Sequence, residues 1–101
     1  MIKHVVMWKL KDFAEDADKA RNAKRIKIEL EALKKTIPQI FHLEVGINYL
    51  GSDAAYDVVL FSVFKNEKDF ELYQNHPDHR AVAQFVGKVK EDRVVVDYKT
   101  P

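Results

Sequence analysis

The densest group of chemically capable side chains is the run Tyr73-Gln74-Asn75-His76-Pro77-Asp78-His79. A histidine titrates near neutrality, so His79 could take a proton from the carbon alpha to a carbonyl while Tyr73 holds the developing oxyanion. The same two residues could instead be structural, a Tyr–His hydrogen bond fixing the turn around Pro77. His76, directly before a proline, suits a helix cap or a solvent-facing position. His4 falls on the same side of its segment as Val6 and Trp8, and a buried imidazole needs a partner. Tyr73 or His79 could supply it, which would gather three polar groups in one pocket; otherwise His4 reaches water at a strand end. A metal set of His4, His76 and His79 is a further option, since a spacing of three on a helix can converge. Pro77 spoils a regular helix there and no carboxylate pair has zinc-like placement, so no metal and no cofactor are expected. The chain has no cysteine, which excludes disulfides, thiol catalysis and thiolate metal sites and permits a reducing compartment.

These side chains need a frame, and the apolar pattern supplies one. Ile2 to Leu10 is rich in Val, Ile and Trp, has no breaker and predicts a strand. One face carries Ile2, His4, Val6, Trp8 and Leu10, the other Lys3, Val5, Met7 and Lys9, so its middle is covered on both sides. Asp12 to Asp16 reads as a loop. A helix from about Asp18 to Ile37 follows, with a stripe of Ala23, Ile26, Leu30, Leu33 and Ile37 at spacings of three and four. Pro38 ends it, and Ile28 lies off the stripe. Phe41 to Tyr49 alternates with a period of two, placing Phe41, Leu43, Val45, Ile47 and Tyr49 on a buried face. Tyr56 to Lys65 is nearly continuously apolar, as a central strand would be. Asn66 suits the cap of a short helix carrying Phe70 and Tyr73. Another helix starts at or near Asp78 and runs through Val82, Phe85, Val86 and Val89, and Arg93 to Tyr98 is the last strand.

With 101 residues, 47% hydrophobic and 33% charged, the chain has the balance of one globular domain, residues 1–101, built on one core. The order βα, ββ, αα, β fits an α+β, ferredoxin-like βαββαβ fold. Its sheet is antiparallel, its helices lie on one face, and an extra short helix precedes the last strand. The other face would then show Val5, Met7, Phe61, Val63, Val94 and Val96, a contiguous apolar patch. A two-fold homodimer stacking sheet on sheet covers it with one self-complementary surface. A one-residue register error would instead leave a more polar face and a monomer. Lys and Arg number 17 against 16 Asp and Glu, so charge gives no reason to expect nucleic acid or membrane as partner. No apolar run approaches a membrane span and the N-terminus lacks a signal-like apolar core, so a cytoplasmic location is expected.

Four segments together, Met1-Ile2-Lys3-His4-Val5-Val6, Leu43-Glu44-Val45-Gly46, the Tyr-x-x-His-Pro-x-His block at 73–79, and Asp92-Arg93 with Val96-Asp97-Tyr98, resemble the stress-responsive A/B barrel family in the right order along the whole chain. The resemblance implies a ferredoxin-like fold and a dimeric α+β barrel. A plant branch of that family, the polyketide cyclases typified by olivetolic acid cyclase, closes a ring by intramolecular aldol condensation. Its acid/base residues, a Tyr and the second His of the block, match Tyr73 and His79, and its strand histidine matches His4. The chain departs from that branch at Ile26 and Lys90, where the cyclases have pocket aromatics, and at Trp8, where they have a smaller apolar residue. Cyclase activity is therefore not carried over.

The expected pocket lies between sheet and helices, lined by His4, Val6, Trp8, Ile26, Leu30, Leu60, His76 and Val82, with Tyr73 and His79 as the candidate catalytic pair. Three readings follow. The pocket binds a small aromatic or polyketide-like carbonyl compound, or performs acid–base chemistry of the cyclase or isomerase type, or is filled so that the dimer itself is the functional unit. Trp8 reads first as core, and Arg93 and Asp97 as edge charges or an ion pair without a function.

Overall fold

A computed structural model describes residues 1–101. The two strands with the longest apolar runs, β1 (Ile2–Leu10) and β5 (Val58–Phe64), form the centre of a four-stranded sheet, with β4 (His42–Ile47) and β6 (Lys90–Lys99) at its edges. The order is β4-β5-β1-β6 and every neighbouring pair is antiparallel, as the ferredoxin-like expectation requires. Two short strands, β2 (Phe13–Ala14) and β3 (Ala17–Asp18), form a hairpin that begins in the segment expected to be loop, Asp12 to Asp16, and ends at the residue expected to start the helix. Their turn places Glu15 and Asp16 at φ of 50° and 59°, the left-handed backbone that a two-residue hairpin demands.

The helices α1 (Lys19–Ala32), α2 (Glu67–Asn75) and α3 (Pro77–Val89) begin where the sequence signals them. The Asp18 carboxylate accepts from Arg21 N at 2.8 Å, and the Asn66 side chain from Asp69 N at 2.8 Å. His76 Nδ1 accepts from Asp78 N at 3.1 Å, with Pro77 in the first helical position. α1 is shorter than the stripe predicts. It gives way to a 3₁₀ turn at Leu33–Lys35, where the Leu33 carbonyl accepts from both Thr36 N and Ile37 N and swings Ile37 back into the core. Ile28, off the stripe, is exposed.

Register divides the residues into two grids. Toward the helices stand the rows Leu43–Ser62–His4–Asp97, Val45–Leu60–Val6–Val95 and Ile47–Val58–Trp8–Arg93. Toward the open face stand His42–Val63–Lys3–Tyr98, Glu44–Phe61–Val5–Val96 and Gly46–Val59–Met7–Val94. All six residues expected at an interface therefore lie on the open face. Met7, Val94 and Val96 are exposed, Val5 and Phe61 half-buried, while Val63 is already covered within the chain. Space is tight at Gly46 in its row: a Cβ there would meet Val59 Cγ1 at 3.1 Å, so a larger residue would have to displace that methyl by a few tenths of an ångström.

β4 is shorter than its alternation suggests. Leu43 and Val45 are buried, but Phe41, Ile47 and Tyr49 are exposed, because an edge strand is covered only where a helix crosses it. α1 makes that crossing. Glu31 accepts from Val45 N at 3.1 Å, and Lys27 Nζ reaches Val45 O at 2.6 Å, which closes the outer edge of β4. β6 is longer than expected, starting at Lys90, and no helix covers it.

Candidate functional site

The even-numbered face of β1 points His4, Val6 and Trp8 at the helices, and these three share a cavity of about 230 Å³ with Leu30 of α1, Leu60 of β5 and His79 of α3. Ala83, Val86 and Gly87 continue the α3 wall at helical spacing from His79. Lys90 and Arg93 of β6 complete the rim. Small residues on α3 make the room: a Cβ built at Gly87 meets nothing within 4 Å.

His4 is buried, and its Nδ1 is hydrogen-bonded to the Asp97 carboxylate, its neighbour across the β1–β6 ladder. A carboxylate only accepts, so the proton lies on Nδ1 and Nε2 is the basic nitrogen of the neutral ring. His79 Nδ1 likewise donates to the Gln74 carbonyl at 3.2 Å, leaving its Nε2 free. Burial holds the His79 pKa below the ordinary histidine value, partly offset by the Gln74 bond and reinforced by the Arg80 and Arg93 guanidiniums and by His4 whenever that ring is protonated. Two imidazoles with defined tautomers thus share one small cavity with an apolar floor. Such a pair can accept and return protons.

Tyr73 departs from its expected role. It is fully buried and does not line the cavity. Its ring packs against Phe64 and His79, with centroids 4.8 and 4.3 Å away, so the contact with His79 is ring on ring. The hydroxyl has no hydrogen-bond partner, and burial raises the phenol pKa far above its usual value. Three other expected pocket residues also lie elsewhere. Ile26 and Val82 are core, one helical turn along from the lining residues Leu30 and Val86, and His76 is spent on capping α3.

The residues that sequence reasoning left without a function are Asp97 and Arg93, which stand beside His4 and Trp8 respectively. Their signal is the alternation Arg93, Val95, Asp97 on one face of the last strand; without the β1–β6 register it names no partners. A larger concavity of about 620 Å³, lined by Met7, Gly46, Ile47, Tyr49, Tyr56 and Val59 among others, contains no histidine and opens on the far side of the sheet. No group of three His, Asp or Glu side chains is disposed to hold a metal ion.

The family model of the stress responsive A/B barrel domain matches residues 2–100. The chain belongs to that family. Among curated proteins, the stress-response A/B barrel domain-containing protein DABB1 of Arabidopsis thaliana is 33% identical over 101 residues, 97% of this chain. The match spans 46% of that relative, so the chain covers about half its length. Among solved structures, a dimeric protein of unknown function and ferredoxin-like fold from Bacteroides fragilis superposes with a TM-score of 0.82 at 31% identity. That alignment covers 98% of this chain and 95% of the other. A dimeric ferredoxin-like protein from Thermobifida fusca gives a TM-score of 0.83 at 24% identity, covering 98% and 90%. No helix of this A/B barrel chain is long and apolar enough to cross a membrane.

Proposed function

We propose that this A/B barrel chain works as a homodimer, stacked through the open face of its sheet, and binds a compact aromatic or carbonyl compound in the cavity beneath α3. The observation that carries the binding reading is the convergence of two tautomer-defined imidazoles, His4 and His79, on one cavity floored by Val6, Trp8 and Leu60. Polar groups few in number over an apolar floor are the general form of a small-molecule site. At about 230 Å³ the cavity lies between an apolar void of roughly 150 Å³ that holds benzene and the roughly 300 Å³ lower end of drug-sized pockets. A single ring with short substituents fits. The dimer is supported by the apolar rows of the open face and by the dimeric solved relatives.

Asp97 beside His4 favours a second reading of the same cavity as an acid–base site, because a carboxylate on Nδ1 orients the ring and stabilises its protonated form. In that reading His4 Nε2 takes a proton from the carbon alpha to a carbonyl and returns it to product. Trp8, the chain's one tryptophan, gives the test a reporter. A panel of single-ring carbonyl compounds is titrated while Trp8 fluorescence and the histidine NMR signals are followed. Saturable changes at Trp8, His4 and His79 are expected, weakened in His79→Ala. If no compound moves these signals, and both His4→Ala and His79→Ala change only the melting temperature, the cavity is structural.

A further inference from the structure

The rim of the cavity is cationic, and the pocket reading does not account for that. Lys90 and Arg93 both line it, and neither side chain makes an ion pair within the chain. No carboxylate is among the lining residues. Glu91, next to Lys90, makes no ion pair with it, and the two acids beyond it are engaged elsewhere. Asp97 is bonded to His4 and stands four ladder positions from Arg93, roughly 13 Å along the strand. Asp92 senses the charge of Lys90, but it pairs across from Lys9 on the other face and holds the Tyr56 hydroxyl at 2.6 Å. Lys90 alone would be explained by its position at the C-terminal end of α3, where a cation meets the helix carbonyls. Arg93 has no such explanation: it sits on a strand beside Trp8, at the mouth of an apolar cavity.

Resting on the pocket reading above, we infer that the ligand is a small aromatic carboxylate, its ring on the Val6–Trp8–Leu60 floor and its carboxylate held at the rim by Arg93 and Lys90. A guanidinium presents a planar fork of N–H donors that matches a carboxylate, and Lys90 adds a second charge. The same placement puts the ring substituents toward His4 and His79, inside the cavity. Binding by this clamp is weakened by salt, as exposed charges are.

The probes are benzoate, its neutral isostere benzamide, and inorganic phosphate, titrated into the full chain at pH 8 with Trp8 fluorescence and NMR shifts as readouts. Benzoate is expected to bind about tenfold more tightly than benzamide, the scale of one charge-assisted contact. Arg93→Gln and Lys90→Gln should each remove most of that preference, read as the ratio of benzoate to benzamide affinity in the same variant. Equal binding of benzoate and benzamide, both shifting Trp8 and both unaffected by Arg93→Gln, would overturn the carboxylate inference and keep the pocket. Phosphate displacing benzoate at equal concentration would overturn the pairing of anion with ring. If neither ring compound moves Trp8, His4 or His79, the pocket reading and this inference fall together.

Discussion

Tyr73→Phe isolates one atom. The Tyr73 hydroxyl is buried with no hydrogen-bond partner, while the ring is held by Phe64, Phe70 and His79 at centroid distances of 4.8, 6.4 and 4.3 Å. Phenylalanine keeps every ring contact and leaves a gap of a single oxygen. Taking a hydroxyl out of water without a partner costs about 1–3 kcal/mol. Lost packing around the missing oxygen offsets part of the gain. The variant is therefore expected to be more stable by about 1 kcal/mol, a rise of roughly 4–8 °C in melting temperature for a domain of this size. Urea unfolding followed by circular dichroism and Trp8 fluorescence, at matched protein concentration because a dimer's stability depends on it, measures the difference. Tyr73→Ala supplies the contrast, since losing the ring should cost about 3–5 kcal/mol. A loss of stability in Tyr73→Phe beyond about 0.5 kcal/mol would refute the reasoning. It would mean that the hydroxyl finds a partner in solution, and would return Tyr73 to the list of oxyanion donors. Ligand binding in the cavity should be the same in Tyr73→Phe as in the parent.

Gly87→Ala, in a helix interior with open space for its Cβ, should stabilise the chain by about 0.5–1 kcal/mol in urea unfolding while weakening any ligand that uses the cavity. Phe61→Glu places a second carboxylate beside Glu44 in the middle of the open face and should weaken self-association by roughly 100-fold or more. Sedimentation that finds the unmodified chain monomeric at micromolar concentration would refute the stacked dimer. His79 has its pKa lowered by burial in the folded chain, so protonation favours the unfolded state. Its contribution is complete above the unfolded value near 6.5 and is lost as pH falls; His79→Gln should flatten the decline in stability between about pH 7 and pH 5.

Strand alternation made the two faces of β1 legible from the sequence, and the helix starts were readable because Asp18, Asn66 and His76 each carry a side chain able to accept from the first turn. Helix ends and strand ends were less legible. The 3₁₀ turn after Ala32 and the exposure of Phe41 and Tyr49 depend on what packs above them, which no local pattern states. Half of the site was readable for the same reason as the sheet: His4, Val6 and Trp8 follow from a period of two. The other half required register. Asp97 and Arg93 acquire partners only when β6 is laid against β1, a pairing separated by most of the chain. Tyr73 misled because the spacing in Tyr-x-x-His-Pro-x-His puts it near His79 but does not say which atom faces the opening.

β1 ties the two halves of the proposed function together. Its even residues His4, Val6 and Trp8 form the cavity wall, and its odd residues Val5 and Met7 sit in the apolar rows of the opposite face. A slip of one residue between β1 and either neighbour would exchange the two sets, placing His4 on the open face and Val5 under the helices. Several contacts oppose that slip. His4 is bonded to Asp97, Asp57 accepts from Leu10 N at 2.7 Å, and Asp57 N donates to Trp8 O at 2.8 Å. The end bonds act on the backbone and fix β1 against the β5 side, while the His4–Asp97 bond fixes it against β6. In the proposed stacked dimer the partner sheet would cover Val5 and Met7, so ordering of the open face would also order the strand that carries His4. Weakening the dimer with Phe61→Glu should therefore loosen the cavity as well: hydrogen exchange at Val6 and Trp8 should quicken, although Phe61 touches neither the cavity nor its rim.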